Sequence, residues 1–398
     1  MKLNIPQLKI SKGLNSNIWD SQQNKFIDFS MSNGALLLGH SNAIFKKEIK
    51  KKINLGSNFS TENKDQLAYS KKIKNYYKIF EEIYYCNSGS EASLRALRIS
   101  RAITKKNKFA MISGSWHGSV DNFMFDLNKK NIKIPLSDGI DNSKKDVYML
   151  PQNNLIKSIE ILNRVKKKIC MIIIEPIQNS FPSEQSMKYV KAIYDFAKKE
   201  NILVVFDEVV TGLRVKDLAI FKKYKLKPDI VLFAKCFGGG LPIGIIGINK
   251  KTFIRMKKLN NKVFLGGTFS GNPLSTSVGA ATFDFIKKNK SEINTKLEKY
   301  SRKIKKELND FSKINKFDFQ ILKYESILRP VFTSKKINSK NDILKYEVTK
   351  KKLNFRNYLL KNKIFIPRNG CLFICNSHTY SQINKLIQII KKYLLSIV

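Results

Sequence analysis

Four short apolar runs constrain this chain more than anything else in it: "KFAMISG" from Lys108, "KKICMIIIEPI" from Lys167, "NILVVFDEVV" from Asn201 and "PDIVLFAK" from Pro228. Each is too short for a core helix and apolar at consecutive rather than alternate positions. Strands of that kind are buried on both faces. Helical stretches such as "SMKYVKAIYDFAKKE" fall between several of them. The alternation predicts an α/β fold, a large domain with a mostly parallel central sheet covered by helices. After about residue 280 the pattern changes to a Lys-rich helix with scattered short strands. A smaller α+β domain is therefore expected over 281–398, after a large domain over 46–280. "IWDSQQNKFIDFS" reads as a hairpin around a polar turn, which places the N-terminal segment 1–45 beside the small domain.

The sequence has 398 residues, 42% of them apolar, enough for a sizeable core. Cys86, Cys170, Cys236, Cys371 and Cys375 are too few and too scattered for a disulfide framework, and no CxxC pair suggests zinc. A reducing cytoplasm and no metal are expected. "MKLNIPQLKISKG" has no apolar core of a signal peptide. No run approaches the roughly 18 apolar residues of a membrane span. The amphipathic C-terminal "INKLIQIIKKYLLSIV" reads as a packed terminal helix rather than a membrane-surface one. The formal charge of +43 would ordinarily suggest nucleic acid or anionic lipid. Here the excess is lysine, 64 Lys against 10 Arg, spread along the whole chain. Arginine clusters with interleaved aromatics are lacking, so no specific nucleic-acid function is expected. The charge favours anionic small molecules in a general way.

In parallel α/β sheets ligands collect at the carboxyl ends of the strands, and the chemistry-bearing residues fall there. "CNSGSEA" sets Ser88, Gly89 and Ser90 at the start of a helix predicted to open at Ser90-Glu91, where free N–H groups and the dipole favour a phosphate. Glu175 ends "MIIIEP", Asp207 ends "ILVVFDE" and Lys235 ends "IVLFAK". Singly, each has a structural reading: a snorkelling lysine, a turn-capping Asp207-Glu208 pair, a Ser-x-x-Glu capping box. Together, a phosphate cradle, a buried carboxylate and a buried lysine are the parts pyridoxal 5'-phosphate requires. A desolvated lysine has a lowered pKa and forms a Schiff base. A carboxylate facing the pyridine nitrogen keeps that nitrogen protonated. The glycines Gly238, Gly239 and Gly240 leave room for a tight turn and for the cofactor.

"NSGSEASLRALRISRAIT", "SWHGSVDNF", "IIIEPI", "FDEVVTGLR", "KPDIVLFAKCFGGGLPIG" and "GGTFSGNPLSTSVGAAT" occur in this order. With them the chain resembles the class III pyridoxal-phosphate aminotransferases, and among these glutamate-1-semialdehyde 2,1-aminomutase most. "LLLGH" and "CNSHTYSQINKLI" extend the likeness from about Asn17 to Lys385. The resemblance implies fold type I and a homodimer with active sites at the subunit interface. It implies that Lys235 is the Schiff-base lysine and proton shuttle and that Asp207 pairs with the pyridine nitrogen. Val209 would pack on one ring face and Trp116, where the family carries Tyr or Phe, on the other. Ser88, Gly89 and Ser90 would hold the phosphate, Thr268 would reach the partner subunit's phosphate, and His117 and Glu175 would lie near the site. Val210 stands where many members have Gln, which is closer to the aminomutase branch.

The substrate half departs from the pattern. The aminomutase pattern has an N-terminal arginine that grips the substrate carboxylate, and here no arginine precedes Arg95. An acidic C-terminal stretch is replaced by the shortened "PRNGCLF", which makes Arg368 and Asn369 candidate substrate-binding residues. The reading is an aminotransferase moving an amino group from a donor such as glutamate to an aldehyde or ketone. The missing arginine suggests an acceptor other than a simple α-keto acid, such as a keto-sugar or another biosynthetic intermediate. The alternative is a glutamate-1-semialdehyde aminomutase that holds the carboxylate differently. A non-catalytic scaffold is disfavoured because Lys235 and Asp207 are both present.

Overall fold

The computed structural model describes residues 8–141 and 146–397. Strands are numbered in chain order. A seven-stranded sheet is formed by β4 (Phe80–Cys86), β5 (Lys108–Ile112), β8 (Val147–Leu150), β9 (Ile169–Ile174), β10 (Leu203–Asp207), β11 (Ile230–Ala234) and β12 (Gly244–Asn249). Their spatial order is β4-β12-β11-β10-β9-β5-β8. Only β12 runs against its neighbours, pairing antiparallel with β11 and β4; the pairings from β11 through to β8 are parallel.

The apolar runs are buried on both faces because successive side chains point to opposite sides. Ile172, Ile174, Val204, Phe206, Val231 and Phe233 enter one core. Met171, Ile173, Leu203, Val205, Ile230 and Leu232 enter the other. The helix Ser186–Lys199 covers the first face with Met187, Val190 and Ile193, and the helix Gly89–Thr104 covers the second with Ala92, Ala96 and Leu97. Full burial of such side chains stabilises by roughly 1.5–3 kcal/mol each, so the register of the central strands is firmly set. Phe206 lies opposite Ile174, and Asp207 opposite Leu232. The carboxyl ends of β9, β10 and β11 therefore fall along one edge.

The N-terminal segment joins a second sheet. β1 (Ile10–Leu14), β2 (Asn17–Asp20) and β3 (Lys25–Asp28) form an antiparallel run, and β15 (Ile364–Phe365) adds parallel to β3. The strands β13 (Gln320–Tyr324), β14 (Ile327–Val331) and β16 (Leu372–Phe373) make a three-stranded sheet. A small ribbon pairs β6 (Phe125–Leu127) with β7 (Lys133–Pro135). Residue 280 lies inside the helix Pro273–Lys288; Asn289 then separates it from the long helix Lys290–Ile314. The C-terminal helix Tyr380–Leu395 opens with a capping box of Thr379 and Gln382 and buries Ile383, Leu386, Ile387 and Ile390. Among the described residues no helix is long and apolar enough to cross a membrane.

Candidate active site

Lys235 follows β11 directly, with φ +49° in the left-handed region, at the start of the single 3-10 turn Lys235–Gly238. The turn closes at Gly239, also left-handed, where a Cβ would come within 2.3 Å of Thr282 Oγ1. A side chain there is excluded, so the glycine is a packing requirement. Lys235 lies at the junction of two cavities, of about 420 and 900 Å³, both of which it lines together with Trp116 and Asn179. Burial lowers its pKa, partly offset by the nearby Glu175 and Asp207 carboxylates.

Asp207 ends β10, lines the smaller cavity and is 3% exposed. Its Oδ2 is 2.7 Å from His117 Nδ1, and its Oδ1 accepts the Val209 N–H at 3.0 Å. A carboxylate offers about four acceptor positions, so this one retains capacity for a further donor. His117 is fully enclosed, and its Nε2 has no partner among the described residues. Glu175, just past β9, accepts the N–H groups of Trp116 at 3.1 Å and Asn179 at 3.3 Å. Burial first, and then the charge of Asp207, push its pKa up to about 8. Glu208, next to Asp207, points the other way. It accepts the N–H groups of Ile220 and Phe221 and the Thr211 hydroxyl, and burial raises its pKa to about 7.

The helix after β4 opens one residue earlier than expected, at Gly89, because Ser88 is its N-cap. Ser88 Oγ accepts the Glu91 N–H at 3.1 Å and its carbonyl accepts that of Ala92 at 3.1 Å. Of the four N–H groups at this helix start without a helical partner, those of Ser88, Gly89, Ser90 and Glu91, the last is capped by Ser88 Oγ, and Gly89 and Ser90 lie at the wall of the smaller cavity. A Cβ on Gly89 would meet Val209 at 3.1 Å. Ser90 Oγ accepts the Ser119 N–H at 3.1 Å, tying the helix start to the loop that carries Trp116 and His117.

Ser88, Gly89, Ser90, Trp116, His117, Asp207, Val209 and Lys235 thus line the smaller cavity, and Glu175, Arg368 and Asn369 line the larger one. Trp116 is 54% exposed at the mouth of both. Thr268 lines neither. It lies in an exposed segment beside Phe59 and Leu67, in a different hollow. Three residues escape sequence reasoning. Asn179 has a buried Oδ1 without a partner among the described residues, Arg329 of β14 lines the larger cavity, and Arg214 braces the turn Met31–Gly34 beside it. Arg329 follows no motif; its one signal is a charge inside the apolar run "ILRPV". Arg214 donates to the carbonyl oxygens of Gly34 at 2.6 Å and Ile374 at 2.9 Å.

The mixed seven-stranded sheet with a lysine and an aspartate at adjacent strand ends is the architecture of fold type I transferases. A family model for class-III aminotransferases matches residues 2–321, and the chain belongs to that family. Similar curated relatives include glutamate-1-semialdehyde 2,1-aminomutase of Archaeoglobus fulgidus, 34% identical over 70% of this chain and 67% of that one. The Methanosphaera stadtmanae enzyme of the same name is 29% identical over 96% of this chain and 90% of its own. Among solved structures, an omega-transaminase from Sphaerobacter thermophilus superposes with a TM-score of 0.87 at 18% identity, over 98% of this chain and 91% of that one. A glutamate-1-semialdehyde aminomutase from Pseudomonas aeruginosa gives 0.85 at 15% identity, over 98% and 88%.

Proposed function

We propose that the protein is a pyridoxal-phosphate-dependent enzyme that transfers an amino group from a donor, glutamate, to an aldehyde or ketone acceptor. The observation that carries this is the convergence of Lys235, the Asp207–His117 pair and the open helix start Gly89–Ser90 on one cavity of about 420 Å³. The residues fit the group. Gly89 and Ser90 offer two free N–H groups to a phosphate, Asp207 has acceptor capacity left for a pyridinium N–H, and Val209 lines the same cavity. The buried, unpartnered His117 Nε2 and Asn179 Oδ1 are polar atoms that a bound molecule would satisfy.

When bound, pyridoxal phosphate supplies an aldehyde for the amine and a ring that withdraws electrons from the reacting carbon. The chain's residues do the rest. Asp207, held by His117 and the Val209 N–H, would keep the ring nitrogen protonated. Lys235, whose amine burial pushes toward neutrality, would be the base that takes the proton from the donor's amine-bearing carbon and, in the second half-reaction, the acid that supplies one to the acceptor's carbonyl carbon. Trp116 covers the mouth against water. Two copies would pair so that Thr268 of each reaches the phosphate of the other. The five free, buried cysteines suit a reducing cytoplasm.

A second reading, intramolecular amino shift as in glutamate-1-semialdehyde 2,1-aminomutase, is favoured by the names of the relatives above. The test is a visible spectrum of the purified protein with pyridoxal phosphate, before and after L-glutamate. A band that glutamate bleaches is expected for the aminotransferase. A band that glutamate leaves unchanged, with amino shift in glutamate-1-semialdehyde and no external donor, is expected for the aminomutase. Lys235→Ala should abolish the band, and retention of the same band overturns both readings.

A further inference from the structure

The larger cavity carries more positive charge than the reaction centre uses. Arg329, Lys340, Lys352, Arg356 and Arg368 line it beside Lys235, against a single carboxylate, Glu175. Lys340 is neutralised by Asp126, and Lys352 stands 4.0 Å from Glu347. Among the described residues, Arg329, Arg356 and Arg368 have no carboxylate within ion-pairing distance. Arg329 is 8% exposed in the middle of β14, and its Nε has no hydrogen-bond partner among the described residues. Burying a guanidinium without a counter-charge is costly, by several kcal/mol when nothing compensates it. The cations also strain one another. Burial and the charge of Arg329 lower the pKa of Lys352, and burial and the charge of Arg368 lower that of Arg356. A ligand anion would relieve both pairs at once.

We infer that this wall is an anion subsite: the substrate bears a carboxylate or phosphate group away from its reacting carbon, held by Arg329 and Lys352, with Arg356 and Arg368 drawing it in at the mouth. The inference rests on the reading of Lys235 as the reaction centre, because both open onto the same cavity. It also supplies what the N-terminal segment lacks, since no arginine precedes Arg95. The gripping cation comes instead from β14 and from the helix Thr349–Lys361, which contributes Lys352 and Arg356.

Calorimetric titration of the pyridoxal-phosphate-loaded protein with glutarate, inorganic phosphate and neutral 1,5-pentanediol tests it. None of the three carries an amine, so binding is read without turnover. At least one anion should bind, the diol should not, and the preferred anion identifies the carboxylate or phosphate class. Arg329→Gln should weaken that anion at least about tenfold, the loss of a charge-assisted hydrogen bond; Arg329→Lys should weaken it less. Failure of both anions to bind overturns the subsite. If Arg329→Gln does not fold, Lys352→Gln carries the same expectation, and native anion affinity in whichever variant folds overturns the assignment. The visible band recorded on the same samples reads cofactor uptake separately. A protein that stays colourless but binds the anion fails the enzymatic reading alone, and a coloured protein indifferent to both anions fails this one alone.

Discussion

Glu175 is a carboxylate enclosed next to another carboxylate, and that makes it the residue whose titration tells most about the site. Its pKa near 8 lies above the ordinary value of 4.5. The folded state therefore holds a proton that the unfolded chain releases as pH rises through 4.5. Stability contributed by the protonated form is complete below pH 4.5 and is lost progressively up to about pH 8. Glu175→Gln mimics the protonated form and removes this slope. In the cofactor-free protein, thermal unfolding should give similar midpoints for variant and native chain near pH 4.5. At pH 8 and above the variant should be the more stable, by a few kcal/mol at most given the coupling to Asp207 and Lys235. Equal midpoints across the range would mean that Glu175 is ionised in the fold and balanced by Lys235. The residues of this centre were legible in the sequence for one reason. Lys235, Asp207 and Glu175 each end a run of five or six apolar residues, where burying a charge is costly unless something compensates it. His117 was legible only through the "SWHGS" motif. Its role as the partner of Asp207 arises from a contact across 90 positions of the chain.

At the scale of elements, the short turn Met31–Gly34 shows what the sequence conceals. Four successive residues have positive φ: Met31 at 45°, Ser32 at 52°, Asn33 at 54° and Gly34 at 84°. Three of them are not glycine, so the turn is held against its own preference. Arg214 does the holding, with one guanidinium nitrogen on Gly34 O and the other on Ile374 O, and its plane lies over the Phe373 ring at 5.3 Å. The turn sets Asn33 and Ser32 at the walls of the two cavities. Arg214→Met keeps much of the apolar bulk but removes a charged donor from two buried carbonyl groups, leaving Gly34 O with the Cys236 thiol alone, at about 1–3 kcal/mol each. Chemical denaturation should show a loss of about 2–5 kcal/mol, together with weaker cofactor binding as the turn relaxes. A loss below 1 kcal/mol would mean that the turn is stable without its brace. Asn33-Gly34 in "FSMSNGALLLGH" marks a turn, but nothing local announces four positive φ angles, because their brace lies 180 residues away. Arg329 is hidden for the same reason. Its cavity is assembled from segments near residues 33, 179, 329, 352 and 368, which only the tertiary fold brings together. Local periodicity reveals strands and their charged ends, and it is silent on walls built from four or five distant pieces.

The whole molecule presents a contradiction between its charge and one of its faces. A net charge of +43 repels a second copy of itself. Yet Leu55, Phe59, Leu67, Phe264 and Phe269 are 61, 47, 53, 74 and 60% exposed. Phe59, Leu67 and Thr268 line a single hollow, and Phe264 and Phe269 flank Thr268 in the chain. Exposed large apolar side chains around one hollow are what a subunit interface would use. Pairing through this face would carry Thr268, which touches neither cavity of its own chain, toward a second copy. The two tendencies separate experimentally. Apolar burial is insensitive to added salt while the repulsion between two strongly cationic subunits is screened by it. Sedimentation velocity should show a dimer whose dissociation constant falls as sodium chloride is raised from about 50 to 500 mM. Phe264→Asp combined with Phe269→Asp should yield a folded monomer, checked by circular dichroism, at all these salt concentrations. If Thr268 serves the neighbouring site, that monomer should also bind pyridoxal phosphate at least about tenfold more weakly, the loss of a hydrogen bond to a charged phosphate. A double variant that remains dimeric would move the interface elsewhere. A monomer that retains full cofactor affinity would leave the phosphate entirely to Ser88, Gly89 and Ser90 of its own chain.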